Sequence, residues 1–292
     1  MPESLIITLI GPGLLSAADA AHASDTLGAA GAQPGPWVWL DEGDALDLPA
    51  TGLTAPKARA LLEAALPHLD TIAQPTHLPR RKALLIADMD STMIQCECID
   101  ELADYAGLKP EVAAITEAAM RGELDFAEAL KARVALLKGL PIATLDECRR
   151  DRVRLTPGAQ TLVRTMAAGG AHTLLVSGGF TAFTAPVAAE IGFAAQKANV
   201  LLTENDHLTG EVAQPIVDAA TKRQSLLSAG VSLDSTLAVG DGANDIPMLE
   251  AASLGIAFHA KPKAAQAADA HIRYGDLTAL LWAQGYTRAE WA

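Results

Sequence analysis

Lys82-Ala83-Leu84-Leu85-Ile86-Ala87-Asp88-Met89-Asp90-Ser91-Thr92 is an apolar run that ends in two carboxylates. Four consecutive apolar residues, Leu84 to Ala87, suit a strand buried on both faces of a sheet. Side chains two apart on an extended segment point the same way, so Asp88 and Asp90 address one spot at the strand's carboxyl end. Two anions held together repel, and one pKa rises unless a cation lies between them. Mg²⁺ suits such a site, being hard, oxygen-liganded and usually held by one or two carboxylates plus phosphate oxygens. The competing reading is a plain polar exit from a strand, because Asp, Ser and Thr are ordinary turn residues. Partners elsewhere in the chain have to decide.

Outward from this run the chain divides into three textures. Residues 1–75 read as a small α+β unit, with strands at Leu5–Ile10 and Trp37–Leu40, a helix over Ala58–Leu66, and no catalytic constellation. Residues 96–155 are helical, punctuated by Gly107, Pro110, Gly122 and Gly139 and by capping-box patterns at Asp125–Glu128 and Thr144–Glu147. From about 156 onward strands and helices alternate, with strands at His172–Val176, Ser235–Gly240, Gly255–His259 and His271–Tyr274. Such alternation implies a parallel sheet with helices on both faces, built from 76–95 and 156–292 and interrupted by the helical insertion. Ligands of such sheets sit beyond the carboxyl ends of the strands, which puts Asp88, Ser177 and Asp241 on one rim.

With 292 residues, half of them hydrophobic, the chain has ample material for a core. Its formal charge of -13 argues against nucleic acid and anionic membrane as partners. An anionic substrate therefore needs a local positive site. Three cysteines make no disulfide framework, and Cys96-x-Cys98 lacks the further ligands of a zinc site. The start, Met1-Pro-Glu-Ser-Leu-Ile-Ile7, has no basic leader, and no apolar run approaches membrane-span length, so a cytoplasmic protein is expected.

Three further motifs complete the rim. Ser177-Gly178-Gly179 ends a strand and opens a helix, where a hydroxyl and free amides bind phosphate oxygens. Gly240-Asp241-Gly-Ala-Asn244-Asp245 supplies two more carboxylates after an apolar strand: Asp241 can ligate Mg²⁺, and Asp245 can ligate it or hold a bound water. Asp245 also has an ordinary reading as a helix cap. Lys222 begins the preceding helix, where a cation neutralises a phosphoryl group, and Arg223 competes for that role. In the insertion, Phe126, Leu130, Arg133 and Leu137 share one helix face, so Arg133 lies on an apolar stripe and needs an acid from the protein or a ligand. Either it grips a ligand carboxylate while Glu97 accepts an ammonium, or the two residues simply pair with each other or with neighbours.

Together these stretches resemble the four motifs of the haloacid dehalogenase superfamily. More closely, Asp88–Glu97, Ile115–Met120, Leu130–Val134, Val176–Phe180 and Val239–Asp245 resemble its phosphoserine phosphatases over about residues 82–280. The resemblance implies a Rossmannoid sheet with a small helical cap at 96–155, and an N-terminal segment only loosely similar to the ACT type. It implies hydrolysis of phosphoserine, a small-molecule partner, with Mg²⁺ as cofactor. Asp88 would attack phosphorus, and Asp90 would protonate the leaving oxygen and then activate water. Mg²⁺ would be held by Asp88, the Asp90 carbonyl and Asp241, with Asp245 assisting. Ser177, Gly178 and Lys222 would hold the phosphoryl group, Asn244 would bind near it, and Glu97 and Arg133 would hold the amino-acid head group. The competing readings are transfer to another alcohol and a phosphorylated receiver-type signalling domain.

Overall fold

In a computed structural model, residues 4–120 and 123–292 are described. The helix stop expected at Gly122 and the start Met1-Pro2-Glu3 lie outside them. Strand Leu84–Ala87 (labelled β6, after five strands in the N-terminal unit) is the middle of the molecule, and all four of its residues are fully buried. Leu85 and Ala87 pack into one hydrophobic cluster, whereas Leu84 and Ile86 pack into another on the opposite face. That is why the run is apolar without alternation.

β6 pairs in parallel with β7 (His172–Phe180) on one side and β11 (Thr236–Gly240) on the other. The full parallel sheet adds β8 (Ala195–Asn199), β12 (Leu254–Phe258) and β13 (Ala270–Ile272) in the order β13-β12-β11-β6-β7-β8. Ala87 lies opposite both Leu175 and Val239, so Asp88, Ser177 and Asp241 leave the sheet at one level. A hairpin of β9 (Leu201–Glu204) and β10 (His207–Val212) reaches from this sheet to the helical insertion.

The insertion holds α3 (Cys98–Tyr105), α4 (Lys109–Met120), α5 (Phe126–Leu136) and α6 (Ile142–Arg152). The Asp125–Glu128 capping box forms as its sequence predicts. The Thr144 pattern does not: α6 starts three residues earlier, from Pro141, because Pro141 bridges to His207 and Ile142 donates to the Asp206 carbonyl. Tertiary pairing sets that start in place of a cap.

The N-terminal unit is richer than its sequence suggests. Its antiparallel sheet contains β1 (Ser4–Ile10), β2 (Gln33–Pro34), β3 (Val38–Asp41), β4 (Ala45–Thr51) and β5 (Asp70–Pro75), ordered β2-β4-β1-β5 with β3 also on β4. Helices α1 (Ala17–Ala29) and α2 (Ala55–Ala65) pack on it, and α1 opens on a Ser16–Asp19 capping box. Among the described residues, no helix is long and apolar enough to cross a membrane.

Candidate active site

Asp88 occupies the first position past β6, with its amide donating to the Val239 carbonyl at 3.0 Å. One carboxylate oxygen accepts from the Met89 amide at 2.7 Å and meets the Lys222 ammonium at 2.7 Å. The chain then turns sharply, with Ser91 in the left-handed region (φ 54°), so the Asp90 side chain returns to the same pocket. Asp90 accepts from the Cys98 amide at 3.0 Å and from the Ser177 hydroxyl at 3.4 Å. The two acids therefore share a site but not their partners.

Helix α9 (Ala219–Leu227) starts at a side-chain cap on Asp218, so Lys222 sits inside its first turn, not at its very start as expected. Lys222 is 1% exposed, and its ammonium also meets Asp245 at 2.7 Å. Burial pulls its pKa down, but the carboxylates of Asp88 and Asp245 more than offset this and hold it raised. Arg223 is exposed, so of the two cations it is Lys222 that is buried among these carboxylates.

Burial raises the Asp88 carboxyl well above its ordinary value, Asp245 adds to the rise, and Lys222 opposes it. Asp90 is pushed up to about 6, chiefly by burial and then by Glu97, against the pull of the Cys98 amide. A carboxyl group with that pKa can carry a proton near neutrality and lose it again, as a general acid–base must. Asp241 is also raised, by burial first; Lys261 pulls it back and Asp245 pushes it further up.

Carboxylate oxygens of Asp88, Asp241 and Asp245 lie within 4.8 Å of one another, and all three residues are buried. Three carboxylates against two ammoniums, Lys222 on Asp88 and Asp245 and Lys261 on Asp241, leave a surplus of negative charge, and every donor is a hard oxygen. The chemistry fits a hard divalent cation. Asp90's carboxylate is outside this cluster. Asp245 reaches it from the base of the short helix α10 (Ile246–Leu249), where it accepts from the Gly242 amide at 3.0 Å. A Cβ at Gly240 would stand 2.4 Å from the Asp245 carboxyl carbon, so only glycine admits that approach.

Ser177, Gly178 and Gly179 are not at a helix start as expected. They lie in an irregular extension of β7, and α8 (Thr181–Ile191) begins only after Phe180. The Gly179 amide donates to the Ser177 hydroxyl at 2.8 Å, and Asn199 ties the Gly178 carbonyl down at 2.8 Å. A side chain at Gly179 would meet Asp90 at 2.8 Å, so the loop approaches the acid as closely as backbone can.

A pocket of about 200 Å³ joins these groups to the insertion. Asn244, Gly178, Glu97 and Arg133 line it, together with Phe126 and Leu130 of the same α5 face. Glu97 accepts from the Ser91 hydroxyl at 2.8 Å. The Arg133 Nε donates only to the Ala129 carbonyl, and among the described residues no carboxylate forms an ion pair with its guanidinium. Arg133 and Glu97 therefore do not pair with each other; the hydrogen bonds they make are to neighbours, the Ala129 carbonyl and the Ser91 hydroxyl. The three cysteines are free, and among the described residues the three aspartates are the only cluster of metal-ligand type. Lys261, which the sequence reading passed over, also lines the pocket, with its ammonium 3.4 Å from Asp241. Its signal was available: it follows β12, the strand beside β11, and so leaves the sheet on the same rim.

A family model of haloacid dehalogenase-like hydrolases matches residues 85–250. The chain belongs to that family. As a haloacid dehalogenase-like hydrolase it has named relatives over most of its length. It is 50% identical over 207 residues to a phosphoserine phosphatase of Polaromonas sp., covering 68% of this chain and 88% of the relative. It is 44% identical over 253 residues to a phosphoserine phosphatase of Streptomyces coelicolor, covering 84% of this chain and 62% of that longer protein. A solved structure of a phospho-aspartyl intermediate analogue of phosphoserine phosphatase is 38% identical, with a TM-score of 0.64 across 69% of this chain and 98% of its own.

Proposed function

We propose that this hydrolase is a phosphoserine phosphatase, releasing serine and phosphate in the last step of serine synthesis. The observation that carries the reading is one pocket with two chemistries on its walls. Phosphoryl-handling groups line the sheet rim, and Arg133, which no carboxylate pairs with among the described residues, lines the helical side together with Glu97. A guanidinium suits the substrate's carboxylate and Glu97 its ammonium. The division into an N-terminal unit (1–75), a core (76–95 and 156–292) and a cap (96–155) belongs to the same proposal.

Asp88 is the nucleophile. Its carboxylate oxygen bonds to phosphorus as the seryl oxygen leaves, forming an aspartyl-phosphate, the species whose analogue the related solved structure represents. Asp90 gives its proton to the departing oxygen and then takes one from water as water attacks the phosphoryl group. Ser177 and the Gly178 amide hold phosphoryl oxygens, Asn244 binds beside them, and the Lys222 charge balances Asp88 as negative charge builds. Asp88, the Asp90 carbonyl and Asp241, with Asp245 assisting, would hold Mg²⁺, which supplies fixed positive charge to the transferring phosphoryl group.

The test measures phosphate release from phosphoserine with and without Mg²⁺, and with added alcohols. Mg²⁺-dependent release that alcohols leave unchanged is expected; efficient transfer with little hydrolysis would make the chain a phosphotransferase. Asp88→Asn should abolish both turnover and covalent labelling while the circular dichroism spectrum stays native. Retained turnover would remove Asp88 from its role.

A further inference from the structure

The cations of the pocket are not equally committed. Lys222 is shared between Asp88 and Asp245 at 2.7 Å each and cannot move without stripping both. Arg133 stands on the helical wall among Phe126 and Leu130. Lys261 is different. Its side chain is 67% exposed, while the Asp241 side chain that it touches is 8% exposed. Its backbone amide donates to the Asp241 carbonyl at 2.9 Å, so the residue stays anchored wherever its ammonium goes. A solvent-washed contact at 3.4 Å is weak, and a four-carbon stem can swing it elsewhere.

Resting on the phosphatase reading, we propose that Lys261 is the exchangeable counter-ion of Asp241. Its ammonium gives up that carboxylate to the incoming divalent cation and then faces the substrate's phosphate at the pocket mouth. The argument is electrostatic. Asp241 is the member of the aspartate cluster that Lys222 does not neutralise, and Lys261 takes that place. A divalent cation on the same carboxylate repels the ammonium at short range, so the two compete. Once turned away, the ammonium remains on the lip of a pocket whose acidic wall, on a chain of formal charge -13, repels an anionic substrate. A mobile positive charge at that lip offsets the repulsion where it matters.

The experiment uses the full chain with Lys261→Met and Lys261→Arg. Calorimetric titration of metal-stripped protein with Mg²⁺, without substrate, should show the Met variant binding about three- to tenfold more tightly, as one removed like charge predicts. Binding of inorganic phosphate to the Mg²⁺-saturated Met variant should weaken, and its KM for phosphoserine should rise, by about the same factor. Lys261→Arg should restore the wild-type values of all three. A merely structural Lys261 would not move the two affinities in opposite directions. Unchanged or weaker Mg²⁺ binding in the Met variant, or unchanged phosphate binding, overturns the proposal. Failure of the wild-type chain to act on phosphoserine would instead remove the substrate assignment, and the Mg²⁺ and phosphate titrations would still decide the role of Lys261.

Discussion

Asp88 and Asp90 are two residues apart and share a pocket, yet their surroundings divide the work. Asp88 is held against Lys222, and Asp90 has only neutral donors, the Cys98 amide and the Ser177 hydroxyl. The proton-carrier role proposed for Asp90 costs stability. Its folded pKa of about 6 lies above the ordinary 3.8, so the folded state binds the proton more tightly than the unfolded chain does. The stability from that proton is present below the unfolded value and is lost as pH rises through the folded one. Asp90→Asn has no such dependence. Relative to wild type, its unfolding free energy should therefore improve by about 2 kcal/mol between pH 4 and pH 8. Urea unfolding of metal-free protein at the two pH values measures this. A difference that does not change with pH would mean that Asp90 does not hold its proton in the folded state. Thr92, two residues on, has a buried hydroxyl with no hydrogen-bond partner among the described residues.

At the scale of elements, the sheet rim and α5 meet across the pocket, and on the proposed reading α5 carries the specificity. Arg133 is half-buried there, and burial lowers its pKa against the pull of Asp100, Glu97 and Asp90. Arg133→Ala should weaken phosphoserine binding by about 2–5 kcal/mol, the cost of stripping a buried charge of its partner. A phosphate ester without the carboxylate should be nearly indifferent. Equal losses on both, measured as KM or competitive inhibition, would show that Arg133 does not read the head group. The elements that bear chemistry were legible in the sequence for a physical reason. β6, β7 and β11 are buried between two layers, so each carries an apolar run, and each such run gives way to an Asp or Ser where the rim begins. β4 was not legible, because Asp47 and Pro49 interrupt it. Asp47 is tolerated in a strand because Arg80, 33 residues away, clamps it with two contacts of 2.6 Å and the Thr8 hydroxyl donates to it at 2.9 Å. β5 was lost in the same way, since its Asp70 and Gln74 take partners more than 200 residues downstream. The start of α1 is a different case. The Ser16–Asp19 box was there to be found, and the Gly- and Pro-rich surroundings masked it.

For the molecule as a whole, the N-terminal unit is fastened to the last strand and helix of the core. Arg80 of the core clamps Asp47 of the N-terminal unit, Gln74 donates to the Ala283 carbonyl at 2.8 Å, Trp282 donates to Asp41 at 2.6 Å, and Arg288 pairs with Asp44 at 2.8 Å. The most deeply buried tie is Asp70, at 0% exposure, whose carboxylate accepts from the backbone amides of Arg273, Tyr274 and Gly275 just beyond β13. Those amides cap the rim side of the sheet, and the Gly275 carbonyl in turn lies 2.9 Å from the His259 ring, two residues before Lys261. Asp70→Ala would leave three amides without their acceptor in a place that water reaches poorly. Each such group costs about 1–3 kcal/mol when nothing replaces the bond, so a total loss of about 3 kcal/mol is expected after partial relaxation. Urea unfolding followed by tryptophan emission reads it directly, because Trp37 and Trp39 belong to the N-terminal unit and Trp282 and Trp291 to the core. A single transition shifted to lower urea means that the two units still unfold together and that Asp70 stabilises the whole. Two separated transitions mean that this carboxylate is what couples them. A loss below about 1 kcal/mol would show that the surrounding ties hold the units together without it.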